Sequence, residues 1–131
     1  DLGRGVGTEA GLAVRKVEAG AEFLITQPIF DPAEASQFRE AYHQASDKEL
    51  AVPVYYGLQV LEADGVIFSS VPEAFRTQLE SGRSGVDIAT ELFSEFQNAG
   101  LHNVYLVPPI RRGGARNYDA AQEVLTSVTR I

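Results

Sequence analysis

Residues 15–31, Arg-Lys-Val-Glu-Ala-Gly-Ala-Glu-Phe-Leu-Ile-Thr-Gln-Pro-Ile-Phe-Asp, pass from the tail of a helix through a one-glycine break into a short apolar strand. A polar residue, Gln27, then stands at the strand's carboxyl end. So short a helix-to-strand step suits an α/β chain in which helices and parallel strands alternate. The carboxyl ends of parallel strands are where such proteins gather ligands and chemistry.

The rest of the chain keeps this grammar. Thr8 is placed to cap a first helix carrying Leu12, Ala13, Lys16 and Val17, and Gly20 to end it. Phe23 to Thr26 forms the first strand. Asp31-Pro32-Ala33-Glu34 has the form of a capping box with proline at the first helical position, opening a helix with Phe38, Ala41 and Tyr42 on one side. Val52 to Gly57 is a second strand, and Leu58 to Ser69 an aperiodic loop. Ser70-Val71-Pro72-Glu73 starts a third helix with Phe75 and Leu79 four apart.

Ser84 starts a fourth helix, whose Ile88, Leu92, Phe96 and Ala99 make an apolar stripe up to Gly100. Asn103 to Val107 is a third strand, ended by Pro108 and Pro109. Asn117 caps a last helix with Ala121, Val124, Leu125 and Val128 inward. The expected order is α-β-α-β-α-α-β-α, with strands buried on both faces as parallel strands between helices are. Three strands alone leave two unpaired edges. The chain is therefore expected to be the last part of a larger barrel, one partial domain over 1–131. Its start at Asp1 and lack of methionine fit that expectation.

Composition narrows the function. The 18 acidic residues outnumber the 11 basic ones, for a net charge of −7, which argues against a basic nucleic-acid face. There is no cysteine and only two histidines, His43 and His102, far apart, so no metal site is expected. No apolar run reaches the roughly 20 residues needed to span a bilayer, and no signal-peptide pattern is visible. A cytoplasmic setting is compatible with this composition. The spacing Gly3-x-Gly5-x-Gly7 follows no strand and reads as linker.

Several blocks resemble the methylenetetrahydrofolate reductase family. The strongest is Lys16-Val17-Glu18-Ala19-Gly20-Ala21 through Thr26-Gln27-Pro28-Ile29-Phe30-Asp31. Pro53-Val54-Tyr55-Tyr56-Gly57 is similar to the family's next strand, and residues 85–107 to its last helix-strand pair. The ending Val107-Pro108-Pro109 resembles the branch in which such a domain often follows a homocysteine methyltransferase. The resemblance implies the C-terminal portion of a (β/α)8 TIM barrel, from its fifth helix through its eighth strand, with three parallel strands and flanking helices.

It also implies a flavin-dependent oxidoreductase with FAD as cofactor and NAD(P)H as co-substrate, reducing 5,10-methylenetetrahydrofolate to 5-methyltetrahydrofolate. The implied partners are the folate substrate and the N-terminal half of the barrel, with room for a homo-oligomer. Gln27 would meet the folate, its amide offering both a donor and an acceptor. Lys16, Arg15, Glu9 and Ile25 would face the flavin. No catalytic residue falls in this chain, because the family's catalytic glutamate and flavin-side aspartate belong to earlier strands. Phe68 is the candidate for the family's substrate-stacking aromatic.

Arg111, Arg112 and Arg116, with Gly113 and Gly114 among them, stand out in an acidic chain and follow the third strand. They are expected on the same rim as Gln27, as an anion site for a cofactor phosphate or the folate's glutamate tail. Each feature has a plainer reading: a glutamine ending a strand, cations favoured near a helix C-terminus, and an arginine loop paired with nearby carboxylates. The rivals to the reductase are a non-catalytic folate- or flavin-binding module of the same fold, and an unrelated, self-contained three-strand α/β domain with the same helix-strand grammar.

Overall fold

Glycines mark where helices give way to strands. The computed structural model describes residues 5–129. The first helix, α1 (Val6–Glu18), ends where Gly20 takes a φ of 109°. There the amide of Gly20 donates to the Val17 carbonyl and that of Ala21 to Lys16, the paired bonds of a Schellman stop. Gly100 closes α4 (Gly85–Asn98) in the same way, and brings Leu101 back over the buried Phe96.

The remaining elements are β1 (Leu24–Pro28), α2 (Ala33–Ser46), β2 (Val54–Gln59), α3 (Glu73–Glu80), β3 (Val104–Val107) and α5 (Tyr118–Thr129). The element order matches the expected one. The sheet is parallel throughout, in the order β1-β2-β3.

Side-chain caps set the starts of α4 and α5 but not those of the other helices. Asp31 Oδ1 accepts from the Ala33 amide at 2.9 Å, and Glu34 reaches back to the Phe30 amide at 3.3 Å, but the expected reciprocal box does not form: α2 starts at Ala33 with Pro32 as its N-cap. Ser84 Oγ accepts from the Asp87 amide, and Asn117 Oδ1 from Ala120. Thr8 is not the cap of α1: the helix starts earlier, on Gly5 with φ 103° and no side-chain cap, so Gly7 is helical rather than linker. Gly3 lies outside the described residues. Nor does Ser70 cap α3, whose N-cap is Pro72.

The expectation that every strand is buried on both faces is overturned. Val54, Tyr56 and Leu58 are buried against a core formed with α1, α2, α4 and α5. Residues of the other phase are not: Ile25 is 63% exposed and Tyr55 40%. Among the described residues this second face of the sheet stays open, with the rings of Phe23 and Tyr55 meeting edge to face at 5.9 Å. The physical reason is topological. Sequentially adjacent parallel strands joined by right-handed crossovers carry their helices on one side.

Two smaller corrections follow. β2 continues through the fully buried Leu58 to Gln59, so the loop begins later than its lack of periodicity suggests. Leu125 is exposed, and α5 buries Val124 with Ala120 and Val128 packed beside it. A second, smaller cluster of Leu61, Val71, Leu79 and Ile88 fixes α3 and the β2–α3 loop to the start of α4.

Candidate functional site

Proline decides the geometry at the end of β1. In a regular parallel ladder the residue at position 28 would donate to the Gly57 carbonyl, and proline has no N–H. Ile29 donates there instead, at 3.0 Å. The register slips accordingly: from Ile25↔Tyr55 to Pro28↔Gly57, β1 advances three residues while β2 advances two. The additional residue makes a bulge, the kind of irregularity that re-aims a side chain at a sheet rim.

Thr26 repairs the ladder. Its Oγ1 accepts from the Gly57 amide at 3.1 Å and donates to the Gln27 carbonyl at 2.7 Å. Its own carbonyl accepts from the Tyr105 hydroxyl. Gln27 is thereby left exposed, on the rim of a cleft of about 1050 Å³ at the carboxyl ends of all three strands. Gln59 and Val107 end the other two strands on this cleft, and Phe30, Phe68 and Pro72 help wall it.

Two of the cleft's polar groups have structural tasks. Asp31 and Glu34 both line it, and both accept from main-chain amides around the start of α2, Asp31 from Ala33 and Glu34 from Phe30. Gln59 was hidden from sequence reasoning by the loop assignment. Its Nε2 lies 3.0 to 3.3 Å from the carbonyls of Val60, Val107 and Pro108, which sets the amide so that Oε1 is its remaining acceptor. Phe68 is 52% exposed at the mouth, where a flat ligand could meet its ring.

The residues expected to face a flavin divide. Glu9, Lys16 and Ile25 come together around a recess of about 60 Å³ with Ala13, Leu24, Thr26 and Phe38. Glu9 is buried there, whereas Lys16 and Ile25 are exposed. Arg15 is exposed and outside this recess. Such a volume holds about two waters and cannot enclose a flavin ring. Lys16 and Ile25 can supply a cation and an apolar wall, and the rest of a flavin pocket would have to come from outside this chain.

The arginines sit in a closed loop beyond β3. Ile110 and Arg116 form an antiparallel bridge, and the Arg111 amide donates to the Ala115 carbonyl at 2.7 Å. Gly113 and Gly114 turn the loop with φ of 93° and 96°. Arg111 pairs with Glu62 at 3.3 Å, Asn117 donates to the same carboxylate, and Arg116 donates to the Gly114 carbonyl at 2.6 Å. Arg112 is exposed and has no side-chain partner among the described residues. None of the three arginines lines the large cleft, although Ile110 does. Glu62, the anchor of this loop, is a second residue the sequence did not single out.

Burial raises the pKa of Tyr105, on β3, above its usual 10.0. Among the described residues no cluster of three or more histidine, aspartate or glutamate side chains is placed to hold a metal, and no helix is long and apolar enough to cross a membrane.

No protein-family model matches the chain, and none of the curated proteins searched matches it.

Proposed function

We propose that this chain is the C-terminal portion of a methylenetetrahydrofolate reductase-like (β/α)8 barrel and supplies one wall of a flavin- and folate-binding site. The observation that carries this proposal is the β1 bulge, which leaves Gln27 unengaged on the rim of a large cleft at the strands' carboxyl ends. The open sheet face supports it, because parallel sheets are ordinarily covered on both sides. So do β1 and β3, the outer strands of the three-stranded sheet. A sheet that continues into further strands and closes has neither an open face nor an edge.

Within such a barrel Gln27 binds the folate's donor–acceptor edge, Gln59 Oε1 offers a fixed acceptor, and Phe68 offers a ring to stack on. Bound flavin would relay a hydride from reduced nicotinamide to the folate's methylene group. Lys16 would neutralise a phosphate near the recess it shares with Ile25.

A second reading is a non-catalytic folate- or flavin-binding module of the same fold.

The test is the visible absorption of FAD mixed with this chain, alone and with the upstream half of its parent protein. A perturbed flavin spectrum only in the mixture of halves supports the barrel. No perturbation, with both halves folded and associated, overturns it. In the reconstituted protein Gln27→Ala should weaken folate binding about 10- to 100-fold, the equivalent of losing one or two buried hydrogen bonds. Hydride transfer from NAD(P)H in that mixture separates the enzyme from the binding module.

A further inference from the structure

A second cavity lies at the opposite end of the sheet from Gln27, between α2 and the turn joining α4 to β3. It measures about 290 Å³. Val54, in its lining, is five residues from Gln59 at the cleft, about 16 Å along an extended strand.

Its lining has an unusual chemistry for this chain. The protein carries a net charge of −7, yet no carboxylate lines this cavity among the described residues. Ser36 and Arg39 face it from α2, one turn apart on the same side of the helix. Tyr56 lines it from β2, and His102 and Asn103 from the α4–β3 turn. Arg39 makes no ion pair among the described residues.

Tyr56 gives the independent sign of a ligand. The residue is only 2% exposed, and its hydroxyl has no hydrogen-bond partner among the described residues. A buried polar group left in that state costs about 1–3 kcal/mol, a cost that a water or a ligand oxygen admitted from the cavity would offset. His102 is fixed as well. Gln97 Nε2 donates to the Leu101 carbonyl at 3.0 Å, which turns Gln97 Oε1 toward His102 Nδ1, also at 3.0 Å. Nδ1 therefore carries the proton, and Nε2 of the neutral ring is an acceptor that gives an anion no hydrogen bond.

We propose that this cavity is a binding site for a compact oxyanion, a phosphoryl or carboxylate group. Arg39 supplies the charge, and the hydroxyls of Tyr56 and Ser36 donate to the anion's oxygens. The site is independent of the cleft at the strands' carboxyl ends and does not require the reductase proposal.

The test is an NMR titration of the 15N-labelled chain with inorganic phosphate, and in parallel with succinate, at constant ionic strength. Saturable shifts at Ser36, Arg39 and residues 100–103 are expected with at least one of them. A response to phosphate alone marks a phosphoryl site, and a response to succinate alone marks a carboxylate site. Arg39→Gln should weaken binding about tenfold or more, the usual effect of losing a charged hydrogen bond. Tyr56→Phe should weaken it several-fold while leaving the ligand-free protein at least as stable. Non-saturable shifts with both anions, or unchanged affinity in both variants, would overturn the proposal.

Discussion

The hydroxyl of Tyr105, on β3, donates to the main-chain carbonyl of Thr26, on β1, across the full width of β2. Gly57 lies beneath the ring. A Cβ added there would stand 2.8 Å from the Tyr105 hydroxyl oxygen and 3.0 Å from the Pro28 nitrogen. Glycine is required at this point so that an aromatic ring can lie on the backbone. Gly57→Ala should therefore cost about 1–3 kcal/mol through overpacking, because Pro28 is main chain and cannot yield. Tyr105→Phe should cost about 0.5–1.5 kcal/mol for the lost bond. Urea denaturation measures both. Equal stability of Gly57→Ala and the parent would show that the ring does not rest on this strand.

The same phenol makes stability depend on pH in the alkaline range. Burial raises the Tyr105 pKa above 10.0, so the folded chain holds this proton more tightly than the unfolded one. The contribution is fully present below pH 10.0 and falls away as pH rises through the folded-state value, since the unfolded chain then binds fewer protons. Thermal unfolding from pH 8 to pH 11.5 should show a decline that Tyr105→Phe makes shallower. Identical slopes in the two proteins would remove Tyr105 from the account.

At Gly85 the start of α4 runs against the main chain of Leu61. A Cβ on Gly85 would come within 1.6 Å of the Leu61 carbonyl oxygen. This contact seats the first turn of α4 on the second hydrophobic cluster, where Leu61 meets Ile88. Gly85→Ala should destabilise by about 3 kcal/mol, despite a helix-propensity gain of up to ~1 kcal/mol at an interior position. Gly11, where a Cβ meets nothing within 4 Å, is the control: Gly11→Ala should be neutral or stabilising. Matching thermal midpoints for the two variants would contradict this packing.

Glu62 is expected to hold the arginine loop in shape. Both of its carboxylate oxygens are engaged, one by Arg111 and the other by Asn117, which also caps α5. Glu62→Ala should speed amide hydrogen exchange from Ile110 to Asn117 more than Arg111→Ala does. The exposed Arg111–Glu62 pair is itself worth no more than about 1 kcal/mol. Equal exchange rates in the two variants would show that the carboxylate is not the anchor.

Element order was legible because local signals repeat it: Gly20 and Gly100 stop helices, Ser84 and Asn117 start them, and apolar stripes such as Ile88-Leu92-Phe96 mark the buried side. Which face of the strands is covered was not legible. Ile25 and Tyr55 have the same apolar character as Leu24 and Val54, and only the strand order distinguishes them. The bulge was not legible: Pro28 was not singled out, and the repair by Thr26 and Tyr105 joins residues 79 positions apart. Gln59 and Glu62 were missed because their partners, Val107, Pro108, Arg111 and Asn117, lie 48 to 55 residues away.

The open face gives the last prediction. Ile25 and Tyr55 pair in register and are both exposed, so replacing them should leave this chain's own stability within about 0.5 kcal/mol. If the sheet continues into a closed barrel, the same residues turn into its interior when the upstream half is present. Ile25→Asp with Tyr55→Ser should then weaken association of the two halves by tenfold or more, because a carboxylate would be buried without a partner. Sedimentation of the mixed halves measures that association, and urea denaturation of the isolated chain supplies the reference. Unaltered association, with isolated-chain stability also unaltered, would mean that this face looks onto water and that the sheet ends where it is seen to end.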